Sequence, residues 1–164
     1  MSRFGLSAQI LGFIVWMIIA FTAAAVGAVA SVNAADFYAG LDQPGWAPAP
    51  SVFAPVWSTL YAMMAMAAWL VWRTGGVEPA RRGLLLFLVQ LAVNALWSWL
   101  FFVWHLGALA FLDTLVLMAL IVATLREFQR HQPVAVLLMM PYLAWVAFAS
   151  VLNLTVWLMN PQSL

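Results

Sequence analysis

The sequence predicts an all-α membrane protein, a bundle of five transmembrane helices with one long loop between helices 1 and 2. Of its 164 residues 67% are hydrophobic and only 7% are charged, and the mean hydropathy is +1.03, which excludes an ordinary soluble domain. Several long stretches carry no charge, and each exceeds the roughly 20 residues that a helix needs to cross about 30 Å of hydrocarbon. These stretches are continuously apolar and do not alternate with period two, so they predict helices and not a transmembrane barrel.

The apolar stretch between Arg82 and Arg126 has to contain two spans, because a single helix of that length would run about 65 Å, twice the thickness of a bilayer. We expect the chain to fold back at residues 104 to 107, where Gly107 accepts the unusual backbone angles of a tight turn. The predicted spans cover about residues 6 to 31, 53 to 72, 84 to 104, 107 to 125 and 134 to 158, within a single domain of residues 1 to 164.

A cleaved signal peptide is the competing interpretation of the first span. Arg3 precedes the apolar run, and Ala28 and Ala30 form an A-x-A arrangement near its end. The run is well beyond the roughly 7 to 15 apolar residues of such a peptide, so we favour a membrane span.

The arrangement of five spans places every basic residue on one side, together with the N-terminus and the loops of residues 73 to 83 and 126 to 133. The opposite side carries only Asp36 and Asp42 as charges in its connections. By the positive-inside rule, the N-terminus is cytoplasmic and the C-terminus outside in a bacterial inner membrane, whereas an organelle or an outer membrane would void this inference. The basic residues are Arg3, Arg73, Arg81, Arg82, Arg126 and Arg130.

Composition also excludes several classes of function. A net charge of +1 without any lysine offers no basic face for a nucleic acid. The absence of cysteine excludes disulfides and thiolate chemistry, and His105 and His131 fall in different connections, so neither a metal site nor a cofactor is predicted.

Residues 32 to 52 form the only long connection, and its prolines and glycines predict a shaped loop. The loop is longer than two adjacent helices require, which favours a lid over a binding site. The alternative is a loop that lies on the bilayer with Trp46 as an interfacial anchor.

Polar and aromatic residues recur at helical spacing on three spans, and because polar groups are costly in hydrocarbon we expect these faces to turn inward toward one another. The alternative for Asn94 and Asn153 is a purely structural role as hydrogen-bonding links between helices. The faces are Trp57, Tyr61, Met64 and Ala68; Gln90, Asn94, Trp97 and Phe101; and Tyr142, Trp145, Ala149 and Asn153.

Asp113 is the only charged residue deep within a span, which makes it a candidate functional residue. A proton relay and a structural hydrogen-bonding role are both open. Ala23, Gly27 and Ser31 form a line of small residues on the first span that predicts close helix contact, within the chain or across a dimer.

Three segments carry a family resemblance: PGWAPAPSVFAPVWSTLYAMMAMAAWLVWR from Pro44 to Arg73, NALWSWLFF from Asn94 to Phe102, and PYLAWVAFASVLN from Pro141 to Asn153. With FYAGLDQPGW from Phe37 to Trp46, they resemble the translocator protein family, also called tryptophan-rich sensory proteins or peripheral-type benzodiazepine receptors. The resemblance implies a five-helix bundle, often a homodimer, that binds porphyrins, sterols and isoquinoline or benzodiazepine drugs beneath the first loop. The implied ligand-binding positions are Tyr38, Pro44, Trp46, Trp57, Asn94, Trp97, Phe101, Trp145 and Ala149, and Asp113 and Asn153 also match family positions.

One departure concerns sterols. Members that bind cholesterol tightly end the last helix with an L/V-x-Y-x-K/R type motif, whereas here the run is VLNLTVWLMN, without tyrosine or base. We therefore expect sterol binding to be weak.

Three functions remain open from the sequence. The first is a membrane receptor or transporter for porphyrins of the protoporphyrin IX type, linked to tetrapyrrole and stress signalling. The second is a porphyrin-degrading enzyme with Trp57 and Trp145 as redox-active residues. The third is a proton-coupled exporter that uses Asp113.

Overall fold

Five long helices form the bundle in the computed structural model, which describes residues 4–164 and so leaves the predicted contribution of Arg3 outside the described residues. This confirms the all-α fold class, since all five are long and apolar enough to cross a membrane within the described part of the chain. The helices are α1 (Leu6–Ala30), the short α2 (Ala34–Ala39), α3 (Pro50–Trp72), α4 (Val77–Ser98, continued by a π-helical segment Trp99–Val103), α5 (Gly107–His131) and α6 (Pro133–Met159).

Helices extend beyond the predicted spans at the arginine-rich end. α4 begins at Val77, and α5 continues to His131, so that Gln132 alone separates α5 from α6. The predicted loop of residues 126 to 133 is therefore wrong. Hydropathy detects the segment inside hydrocarbon, whereas arginine and glutamate are good helix formers that carry the same helix into water.

The turn between α4 and α5 lies where the sequence predicts it, but the predicted role of Gly107 is wrong. His105 adopts the left-handed backbone conformation, with φ of 52°, while Gly107 is the first residue of α5. Glycine is required there for close approach, because a Cβ atom on Gly107 would lie 2.8 Å from the Trp157 ring and 2.9 Å from Leu164.

The long helices pack as a closed ring in the order α1, α3, α6, α5 and α4, with α4 returning to α1. At the α1–α4 contact, a Cβ atom on Gly27 would lie 3.3 Å from Ser98 Oγ. The small-residue line on α1 therefore serves contact within the chain at this position, and a dimer stays a prediction.

The two ends of the bundle differ in charge. At the arginine end, the Glu127 carboxylate on α5 forms two ion pairs. One is with Arg82 on α4, at 3.5 Å, and the other is with Arg130 on α5 itself, at 3.1 Å. The C-terminus of α3 and the N-terminus of α4 share this end, whereas α2 and the C-terminus of α6 lie at the other.

We predict that the two ends are accessible from opposite sides of the membrane. Single cysteines replacing Gly40, Ser163 or Glu78 have no background, because the chain contains no cysteine. Impermeant thiol reagents should label positions 40 and 163 from one side and position 78 from the other. Labelling of positions 40 and 78 from the same side would contradict the five-span arrangement.

Candidate ligand-binding site

The connection between α1 and α3, residues 31–49, folds over one end of the bundle and is called the lid below. Tyr38 and Leu41 of the lid are buried, with 7% and 8% of their surfaces exposed. They belong to a hydrophobic cluster with Leu100 and Phe101 of the π-helical segment and Leu152 of α6. The structure thus favours the lid over a loop that merely rests on the bilayer.

Trp46 lies at the edge of the lid and contacts α6, while its predicted contact with a ligand stays a prediction. Its side chain is half exposed, as an interfacial anchor requires, and its ring lies 5.9 Å from that of Phe148 on α6. Pro44 is partly buried, and its carbonyl accepts a hydrogen bond from Ala47 N, at 2.9 Å, which closes a turn that contains Trp46.

Asn94 links three helices in the middle of the bundle. Tyr61 on α3 donates its hydroxyl hydrogen to Asn94 Oδ1 at 2.7 Å, and Asn94 Nδ2 donates to the Tyr142 hydroxyl on α6 at 3.0 Å. The Trp57 ring lies 5.8 Å from Tyr61 and 6.2 Å from Tyr142. The three inward faces therefore do meet, and the structure gives Asn94 the structural role that the sequence left open; its contact with a ligand stays a prediction.

Asn153 forms a second link, closer to the lid. Trp97 Nε1 on α4 donates to Asn153 Oδ1 on α6 at 2.9 Å, and Asn153 Nδ2 donates to the Gly107 carbonyl at the start of α5 at 3.1 Å. Trp97 stacks on Phe101 with ring centroids 5.3 Å apart, and Phe101 lies in the π-helical segment that ends α4. Such segments are rare and often occur at functional sites.

Two buried donors beneath the lid have no hydrogen-bond partner in the described part of the chain, namely the Tyr38 hydroxyl and Trp145 Nε1. The Phe53 ring lies between them, 5.9 Å from Tyr38 and 6.0 Å from Trp145. Burial raises the pKa of the Tyr38 hydroxyl above its usual value, so this group keeps its proton and remains a donor. Buried donors are nearly always paired, so this pair is available to a ligand.

Asp113 is buried on α5, and its Oδ2 atom has no hydrogen-bond partner among residues 4–164. Gln90, one turn from Asn94 on α4, is fully buried with both side-chain polar atoms unpartnered among these residues. The choice between a proton relay and a structural role for Asp113 stays a prediction.

The remaining predicted residue, Ala149, is partly buried on α6, between Trp145 and Asn153 in sequence. No group of three or more histidine or acidic side chains suited to a metal ion occurs among the described residues.

Sequence reasoning missed two residues of this region. Phe53 precedes Trp57 by one helical turn, and this spacing was a signal that it shares the inward face of α3. Asn160 follows α6 and bonds the lid backbone at Asp42, with both hydrogen bonds 2.9 Å long. No periodic pattern marks Asn160, because it lies beyond the last helical turn.

Comparison with known proteins gives a consistent result. The translocator protein of Homo sapiens is 40% identical over 123 residues, which cover 74% of this chain and 73% of that protein. Protein CrtK of Rhodobacter capsulatus is 36% identical over 153 residues, or 91% of this chain and 92% of the relative. The tryptophan-rich sensory protein of Cereibacter sphaeroides is 32% identical over 142 residues, or 84% and 88% of the two chains.

The family profile described as TspO/MBR matches residues 8–158, which include all five long helices in whole or in greater part. The chain is therefore an integral, multi-pass membrane protein that belongs to the TspO/MBR family.

Proposed function

We propose that this protein is a membrane receptor or transporter that binds porphyrins of the protoporphyrin IX type beneath the lid, in tetrapyrrole and stress signalling. The observation that carries the proposal is the pair of unpartnered buried donors, Tyr38 and Trp145, on either side of Phe53. A ligand with acceptor atoms at the rim of a flat apolar body satisfies both donors when the Phe53 ring moves aside. The names of two relatives, "translocator protein" and "tryptophan-rich sensory protein", agree with transport or sensing.

The walls of the site suit a macrocycle. Indole rings at Trp57, Trp97 and Trp145 are partly buried and offer flat apolar surfaces, while Asn94 and Asn153 supply polar atoms between them. Propionate groups should point outward beneath the lid, because the described arginines lie at the other end of the bundle and an unpaired buried carboxylate is costly.

The orientation that we propose places the arginine end in the cytoplasm of a bacterium and the lid outside the inner membrane. The homodimer and the binding of isoquinoline or benzodiazepine drugs are further proposals that rest on membership of the family.

The first test uses tryptophan fluorescence. Porphyrin binding should quench it, and Trp57→Phe or Trp145→Phe should weaken binding by about fivefold to tenfold, because the smaller ring loses contact area and, at position 145, the N–H donor. Trp72→Phe is the control, since Trp72 lies at the arginine end, stacked on Phe4 at 4.5 Å. Equal effects of all three variants would place the porphyrin outside this site.

Haem provides a second comparison with the same assay. The imidazole nearest the lid, His105, is exposed and stacks on Phe37 with ring centroids 4.3 Å apart. Without an inward imidazole to ligate iron, metal-free porphyrin should bind about as tightly as haem. Much tighter binding of haem would show that the protein ligates the iron.

Porphyrin degradation is the second candidate function, and it is favoured by the contacts of Trp57 with Tyr61 and Tyr142. Three oxidisable rings in contact offer a path for charge away from an oxidised indole. The proteins should be incubated with porphyrin in light and in darkness, and the products analysed. Turnover beyond one porphyrin per chain that is lost in Trp57→Phe would favour the enzyme, whereas intact porphyrin recovered in stoichiometric amounts favours the receptor.

Weak sterol binding is a separate proposal, based on the missing tyrosine and base at the end of α6. Leu154 is partly buried and Leu158 is exposed, so the outer surface of α6 has room for new side chains. Leu154→Tyr combined with Leu158→Arg should tighten cholesterol binding in a photo-crosslinking or fluorescent-sterol assay. An unchanged affinity would show that the missing motif does not explain weak binding.

A further inference from the structure

Besides its apolar contacts, the lid is joined to the bundle by hydrogen bonds from one side chain that follows α6. Asp42 N donates to Asn160 Oδ1 at 2.9 Å, and Asn160 Nδ2 donates back to the Asp42 carbonyl at 2.9 Å. The two residues are separated by 118 positions in the sequence. A reciprocal pair of this kind fixes both the position and the direction of the lid backbone at Asp42.

Asn160 is itself rigidly placed. Its Nδ2 also donates to the Val156 carbonyl of α6 at 2.8 Å, so both amide hydrogens are used. Its own carbonyl accepts from Ser163 N and Leu164 N, each at 3.1 Å, which folds the C-terminal turn back over it. Leu164 then packs in the same hydrophobic cluster as Tyr38 and Leu41.

The bond at Asp42 determines where the ligand-facing part of the lid lies. Gln43, the next residue, donates from Nε2 to the Tyr38 carbonyl at 2.5 Å, so the segment from Tyr38 to Gln43 is a closed unit. Asn160 bonds this unit at Asp42, next to the buried Leu41, and Tyr38 buries its side chain at the other end. Few other polar contacts join the lid to the helices in the described part of the chain.

We propose that Asn160 is a latch that holds the lid closed and thereby controls how fast ligands reach and leave the site beneath it. Asn160 is a positioning residue, since it acts through Asp42 and Tyr38 and not by touching the ligand. The role in ligand exchange rests on the proposed function, whereas the latch itself does not.

The latch is tested first without any ligand. Leu41→Cys places a single thiol in the buried position under the lid, and its rate of maleimide labelling in the folded full-length protein reports lid opening. Asn160→Ala in this background should speed labelling about tenfold, as expected when the net contribution of a pair of hydrogen bonds is lost. Asn160→Asp replaces the Nδ2 donor by a carboxylate oxygen that faces the carbonyl oxygens of Asp42 and Val156, so this variant should label at least as fast as Asn160→Ala.

The control is Gln162→Ala, an exposed position in the same C-terminal turn, which should label at the parental rate. Circular dichroism and thermal unfolding identify any variant whose helices are lost. Folded Asn160→Ala protein that labels at the parental rate overturns the latch, and so does an equal rise in Gln162→Ala.

Ligand exchange is measured next, by stopped-flow quenching with protoporphyrin IX. Asn160→Ala should raise the association and dissociation rate constants together, by about the factor found for labelling, and should change the dissociation constant much less. Faster dissociation alone would overturn control of ligand access. If the parent protein shows no quenching at all, the proposed function fails, and the labelling result still decides whether the latch exists.

Discussion

Hydrocarbon offers no hydrogen-bond partner, so a polar side chain inside this bundle is stabilised only when another helix or a bound ligand supplies one, and the two amides at the centre of the site follow from that constraint. Asn94 accepts from Tyr61 and donates to Tyr142, which joins α4 to α3 and α6. Asn153 joins α6 to α4 and α5 in the same way. The hydrogen bonds of two amides thus fix the spacing of four helices. This spacing in turn sets the positions of the aromatic rings around the amides.

The two halves of the bundle are packed differently as a result. Toward the arginine end, Trp16 packs on Phe87 at 5.9 Å and Phe87 stacks on Phe128 at 6.0 Å, with both phenylalanines fully buried. Toward the lid, aromatic contacts enclose donors that have no partner, at Tyr38 and Trp145. Tight apolar packing stabilises the fold at one end, while the lid end carries two buried donors that a ligand can satisfy; Gln90 and Asp113, deeper in the bundle, also have unpartnered polar atoms among the described residues.

The fold could be predicted from sequence because hydropathy over long windows depends only on composition, and the inward faces could be predicted because polar residues at helical spacing must avoid lipid. Asn94 does bond Tyr142, and Trp97 bonds Asn153, so the faces of α4 and α6 meet as their spacing suggested. The helix ends could not be located in the same way, since a helix does not stop where hydrocarbon stops. The roles of Gly107 and Asn160 could not be predicted for another reason. Gly107 approaches Trp157 and Asn160 bonds Asp42, and such tertiary contacts leave no periodic signal in the sequence.

The lid lies over the end of the bundle that carries Tyr38 and Trp145. Its segment from Tyr38 to Gln43 is a unit closed by one side-chain bond, and it covers a space that Phe53 fills with an apolar ring. A ligand in this space would exchange one apolar surface for another, so burial of area contributes little to selectivity. On the proposed function, selectivity comes from the two donors that have no partner in the described part of the chain, because a ligand that bonds them removes a desolvation penalty that an apolar ligand of the same shape does not. The proposed site therefore favours flat ligands with acceptors at the rim, and Phe53 has to move aside to admit them.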